Sequence, residues 1–173
     1  MRVAALTAIL TCATSCHGVG PDGFGSQTFP FHPAVVLALT RSLDVPAPTV
    51  VAVDLAAYDD WDVPYVERDG SLRVEGDDGF YEYTYLGSST TGTHVVLTAR
   101  NTGGTTVFET VLLLRVESDI VLEDGRSRSR RTLRRIGSFM LGERDGGRVE
   151  LRGNALFIGR GLYRGQDLVI PLE

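Results

Sequence analysis

Hydrophobic and polar positions change texture twice along this chain. Val3 to Ala13 is an uncharged, mostly apolar run (VAALTAILTCA) behind one basic residue, Arg2. His17 to Pro33 has no apolar periodicity and is broken by Gly18, Gly20, Pro21, Gly23, Gly25 and Pro30, the composition of a coil. Phe24, Phe29 and Phe31 also fall there, so its second half is expected to pack on the domain C-terminal to it. Pro33 to Leu43 (PAVVLALTRSL) predicts a short helix, with proline in the first turn and Val45-Pro46-Ala47-Pro48 ending it.

From Thr49 onward the pattern is of short β-prone runs divided by turn residues. Thr49 to Tyr58 reads as a buried strand. Ser71 to Glu75 and Phe80 to Leu86 flank Gly76-Asp77-Asp78-Gly79, a hairpin signal. Thr93 to Arg100 and Thr105 to Val116 flank Asn101-Thr102-Gly103-Gly104, a second one. Ile120 to Leu122, Thr132 to Leu141, Arg148 to Ile158 and Gln166 to Leu172 come next, with loops at 143–147 and 159–165. Alternation along Thr105 to Val116 puts Phe108, Leu112, Leu114 and Val116 on one face and Val107, Glu109, Val111, Leu113 and Arg115 on the other. A strand apolar on both faces is an interior strand. The prediction is all-β: one antiparallel β-barrel or β-sandwich domain of about eight strands with one short N-terminal helix. The late meander resembles that of lipocalin-like barrels in architecture, without a lipocalin motif. A lipid-spanning barrel would need aromatic girdles, and aromatics are only 8% of the chain.

The first apolar run is too short to cross a hydrocarbon core of about 30 Å as a helix and reads as a signal-peptide core. Ala13-Thr14-Ser15-Cys16 comes after it, three small residues and a cysteine. This resembles the lipobox of bacterial lipoproteins. The resemblance implies cleavage before Cys16 and a lipid on its thiol, and covers residues 1–16 alone. It divides the chain into a signal peptide (1–15), a lipid-anchored tether (16–32) and a β-rich globular domain (33–173). His17, rather than Asp, after the cysteine implies the outer membrane of a two-membrane envelope. Cys12 and Cys16 are the two cysteines, so a mature chain starting at a lipidated Cys16 forms no internal disulfide, and core packing must hold it together.

Formal net charge is −5, which argues against nucleic acid as a partner. The charges are segregated: acids dominate residues 51–82 and arginines dominate 126–164. The densest basic run holds Arg126, Arg128, Arg130, Arg131, Arg134 and Arg135. Arg126, Arg128 and Arg130 share a parity, and with Arg131 they are candidates for contact with anionic headgroups or another anion. The competing reading is a solvated hairpin whose charges blunt an edge strand. In Phe80-Tyr81-Glu82-Tyr83-Thr84-Tyr85, alternation puts Tyr81, Tyr83 and Tyr85 on one face. Such a row is a candidate ligand platform, and equally an ordinary half-exposed strand.

Nothing else carries a chemical signature. His17, His32 and His94 have no zinc-ligand spacing, and His94 reads as a surface or half-buried strand residue. There is no nucleophile elbow. Asp59, Asp60 and Asp62 flank Trp61 as the densest carboxylate cluster, read as a solvated acidic loop without the EF-hand pattern. The expectation is a lipid-anchored envelope protein with no catalytic residues, metal or cofactor, which binds a ligand or partner or acts structurally. The alternative is a secreted hydrolase of envelope carbohydrate, using the acidic cluster and the tyrosine row.

Overall fold

The computed structural model describes residues 29–41, 50–58, 63–77, 79–101, 103–143, 147–161 and 164–173. Among the described residues one helix, α1 (Pro33–Arg41), precedes ten strands: β1 (Ala52–Asp54), β2 (Val66–Arg68), β3 (Ser71–Gly76), β4 (Gly79–Ser88), β5 (Thr93–Asn101), β6 (Phe108–Glu123), β7 (Arg126–Glu143), β8 (Val149–Arg152), β9 (Ala155–Ile158) and β10 (Leu168–Pro171). The class is all-β, as the alternation predicts. Of the two architectures left open, the closed barrel is absent. Seven strands form an open antiparallel sheet in the order β1-β7-β6-β5-β4-β3-β2, and three form a second sheet, β10-β9-β8.

Turn chemistry explains much of the meander. Asp69-Gly70 and Asp124-Gly125 carry positive φ at both positions (51° and 78°, 51° and 73°), and each joins strands paired at its flanks. Those are the dihedral signs of the primed two-residue turns, whose twist matches that of the strands. Gly153-Asn154 joins β8 to β9 with positive φ at Gly153 alone (58°), the sign of the other primed turn, so the run 148–158, read as one strand, is a hairpin. The run Thr49 to Tyr58 also divides. The Asp54 carboxylate accepts the Ala56 N–H at 3.0 Å, and the chain leaves β1 for a 3-10 turn at Ala56–Tyr58.

The two faces of the large sheet have separate cores. On the first, Leu72, Tyr81, Tyr83, Val96, Leu112, Leu114 and Leu133 pack under α1 together with Phe29 and Phe31. On the second, Val95, Val111, Leu113 and Leu141 pack against Leu156, Ile158 and Leu172 near the small sheet. Leu112 and Leu114 thus face α1 while Val111 and Leu113 face the small sheet, which is why the middle of β6 is apolar on both sides. The molecule is layered as helix, sheet and smaller sheet, with β6 interior.

Phe29 (3% exposed) and Phe31 (0%) lie in the core, so packed chain begins at least four residues before Pro33. The basic run lies in a hairpin, as one of its two readings has it. Ile120 to Leu122 and Arg126 to Arg131 belong to two long strands, of 16 and 18 residues, joined at Asp124-Gly125. Pairing of β5 with β6 stops at Arg115, and β1 covers β7 at residues 132–134, with the Leu55 N–H donating to the Arg131 carbonyl, so residues 117–130 run on as a two-stranded arm with Asp54, Leu55 and Ala56 beside its base.

Candidate functional site

The tyrosine row lies under the helix. Register pairs Tyr81 with Arg100, Tyr83 with Thr98 and Tyr85 with Val96, placing all three on the α1 side of the sheet, as alternation predicts. That face is covered. Tyr83 is fully buried, its hydroxyl donates to the Phe31 carbonyl, and its ring meets Phe29 edge to face at 5.9 Å. Thr40 Oγ1 donates to the Val36 carbonyl at 2.9 Å, so the Tyr81 hydroxyl, 3.0 Å from that oxygen, is the donor to it. Burial pushes both phenols well above the ordinary tyrosine range, for Tyr83 with the nearby Tyr81 and Tyr65 adding to it. Neither phenol is available as an acid or a nucleophile near neutral pH. What read as an open platform is the floor on which α1 and residues 29–32 are seated. Tyr83 sits in a filled interior, not in a carboxylate-lined cleft of the kind a hydrolase needs.

Tyr85 is the half-buried end of the row. Its hydroxyl lies 2.9 Å from His94 Nδ1, and the His94 ring meets Phe31 edge to face at 5.0 Å. Burial lowers the His94 pKa from 6.5. The neutral ring is therefore the form the fold favours. The unfolded chain binds its proton first as pH falls, so stability drops below about pH 6.5, down to the lowered native pKa. Urea unfolding between pH 7.5 and 5 is expected to show this loss, with a shallower slope in His94→Gln. Parallel pH profiles for the two proteins would remove His94 from the account.

Near the N-terminus of α1, His32 does local work. Its Nδ1 accepts the Ala34 N–H at 3.2 Å and its carbonyl accepts the Val35 N–H at 3.0 Å, in the manner of a helix cap.

The arginine run divides by face. Cross-strand pairs are Ser118–Arg131, Asp119–Arg130, Ile120–Ser129, Val121–Arg128, Leu122–Ser127 and Glu123–Arg126. Directly paired residues share a face, so Arg126, Arg128 and Arg130 lie with Glu117, Asp119 and Glu123. Arg128 meets Glu123 at 2.8 Å, and Arg134 meets Glu117 at 2.6 Å. Arg130 reaches across to Asp54 at 3.9 Å, beside a hollow of about 290 Å³ that Arg128 and Glu123 also line. The Glu123 carboxylate holds the Arg128 guanidinium above its ordinary range. These arginines are set among acids of the neighbouring strand, a charge-laddered ribbon rather than a bare cationic patch. Arg131 is on the other face, with Ile120 and Leu122.

Sequence reasoning does not find a cleft of about 470 Å³ at the end of α1, lined by Leu37, Thr40, Arg41, Glu75, Asp77, Tyr81 and Arg100 among others, so that two carboxylates and one tyrosine of the row do border a cleft. It forms where α1 ends over the β3–β4 hairpin. Its lining residues come from well-separated parts of the chain and share no spacing that a sequence would show.

Cys16 and the carboxylates of Asp59, Asp60 and Asp62 lie outside the described residues. Among the described residues no three His, Cys, Asp or Glu side chains gather as a metal site, and no helix is long and apolar enough to cross a membrane. No family model, curated protein or solved structure matches the chain.

Proposed function

We propose that this chain is a lipid-anchored protein of a bacterial cell envelope, held through Cys16, whose β domain binds a partner or ligand or serves structurally rather than catalysing a reaction. The observation that carries this reading is the uncharged run Val3 to Ala13 leading into Ala13-Thr14-Ser15-Cys16. The placement of the tyrosines favours a non-catalytic role, since their hydroxyls are engaged by Phe31, Thr40 and His94 inside the fold. The core also suits a chain without a disulfide. Its two apolar layers give it cohesion without a covalent link. His17 after the cysteine favours the outer membrane.

Growth with a labelled fatty-acid analogue tests the anchor. The wild-type protein is expected to carry the label and to sediment with membranes. Cys16→Ala is expected to lose the label and leave the membrane fraction. Membrane association unchanged by that substitution would remove the lipoprotein reading.

A further inference from the structure

The two-stranded arm has two unlike faces, and the less charged one is the more informative. One face carries Glu117, Asp119, Glu123, Arg126, Arg128 and Arg130, in opposed acidic and basic rows. The other carries Ser118, Ile120 and Leu122 on β6 and Ser127, Ser129 and Arg131 on β7. It has no acid. Ile120 is 82% and Leu122 76% exposed, the two most exposed large apolar side chains among the described residues. Strand pairing is uninterrupted from Leu114 to Glu123, so this face continues, by register, the one that α1, Phe29 and Phe31 cover in the body.

We propose that this arm is a membrane-contacting element, with Ile120 and Leu122 entering the interfacial layer of the phospholipid bilayer that holds the anchor. The proposal rests on the Cys16 reading and adds to it the surface that meets the lipid. Three observations favour a bilayer over other occupants. The chain coming from Cys16 joins the core at Phe29 and Phe31, on the same face of the sheet as Ile120 and Leu122. Residues 16–28 can span at most about 45 Å, more than the roughly 23 Å of strand from Glu117 to Glu123, so an anchor at Cys16 leaves the arm within reach of the same surface. Two aliphatic side chains are also far short of the roughly 800 Å² per partner that a stable protein interface buries. A bilayer needs no such area, because lipids close around a small apolar tip while hydroxyls and an arginine stay at headgroup level. Glu117, Asp119 and Glu123 are held on the opposite face, away from anionic headgroups, and Asp124 lies in the turn.

The test uses the full-length lipidated protein in vesicles of phosphatidylcholine and phosphatidylglycerol. Under the anchor reading no free thiol remains, so Ser127→Cys and Arg126→Cys each accept one environment-sensitive fluorophore. These neighbours lie on opposite faces of the arm. The probe at 127 is expected to blue-shift and to be quenched by nitroxide-labelled lipids, and the probe at 126 is expected to stay aqueous. Ile120→Ser with Leu122→Ser should bring quenching at 127 down to the level seen at 126. Both side chains are exposed, so the double variant keeps its core. Since the contact is apolar, raising salt should leave the signal in place. Equal exposure of the two probes overturns the proposal. So does a blue shift at 127 that tracks protein concentration rather than lipid, which marks a second copy, or a signal that salt abolishes, which marks the arginines. If fatty-acid labelling fails at Cys16, the anchor reading falls alone, and adding the same vesicles to the purified chain carrying Cys12→Ser and Cys16→Ser as well still decides the arm.

Discussion

Replacing Tyr83 with alanine is expected to lower the unfolding free energy by about 3–5 kcal/mol, the range for truncating a large buried aromatic. Tyr83 is fully buried at the centre of the α1-side core and serves two functions there. Its ring fills the space between β4 and Phe29, and its hydroxyl satisfies the Phe31 carbonyl. Truncation opens a cavity and leaves a buried carbonyl without its donor. Tyr83→Phe separates the two effects. It keeps the ring and removes the donor, and should cost about 1–3 kcal/mol. Urea melts of the three proteins would measure this, with similar m-values showing that the unfolded states are comparable. A loss below about 1 kcal/mol in Tyr83→Ala would mean that residues 29–32 are not seated on the sheet.

The second large effect is expected at Gly79. This residue opens β4, pairs with Gly76 across the β3–β4 turn and has φ +142°, a region that L side chains rarely adopt. A Cβ built there would lie 2.3 Å from the Asn101 carbonyl oxygen and 2.8 Å from its carbon. Both are backbone atoms of a paired strand, so no side chain can move aside. Gly79→Ala is expected to cost about 2–4 kcal/mol, as strained dihedrals and overpacking add. Gly125→Ala provides the comparison. Its φ is +73°, but a Cβ there meets nothing within 4 Å, so the cost should be near 1 kcal/mol. Thermal melts of the pair would show whether close approach, rather than φ alone, requires glycine at 79. Equal losses at the two positions would sink that distinction.

Much of the fold is legible in the sequence because strand signals are local. Period-2 alternation places Tyr81, Tyr83 and Tyr85 on one face and Arg126, Arg128 and Arg130 on another. Gly76 to Gly79 and Asn101 to Gly104 mark their hairpins, and the helix pattern starts where α1 does, at Pro33. Some differences between pattern and structure do have a local signal. Gly153-Asn154 has the composition of a two-residue turn, and it divides a run that otherwise reads as one strand. Asp124-Gly125 is another tight turn, and it joins Ile120–Leu122 and the arginines into one arm.

Other differences have no local signal. A tyrosine row looks the same whether solvent or a helix lies over it. Here the cover comes from Phe29, Phe31 and Thr40, some 41 to 54 positions upstream of the tyrosines they meet. The arginine run likewise looks like a cationic patch until β6 is laid beside it, bringing Glu123 to Arg128 and Glu117 to Arg134. The cleft at the end of α1 depends on four elements meeting, α1, β3, β4 and β5, and none of them encodes it alone.

The order of residues is enough to set the parity of each strand, the positions of most turns, the all-β class and the expectation of an anchor at Cys16. These come from the residues' own periodicity, conformational preferences and succession. Three-dimensional packing was needed to establish that the sheet stays open and that α1 closes the tyrosine face. It also established that the arm turns paired charges to one side and Ile120 and Leu122 to the other. The physical reason is range. Side-chain direction repeats every two residues and is written locally, whereas whether a face is covered, paired or bare depends on which distant segment the chain brings against it.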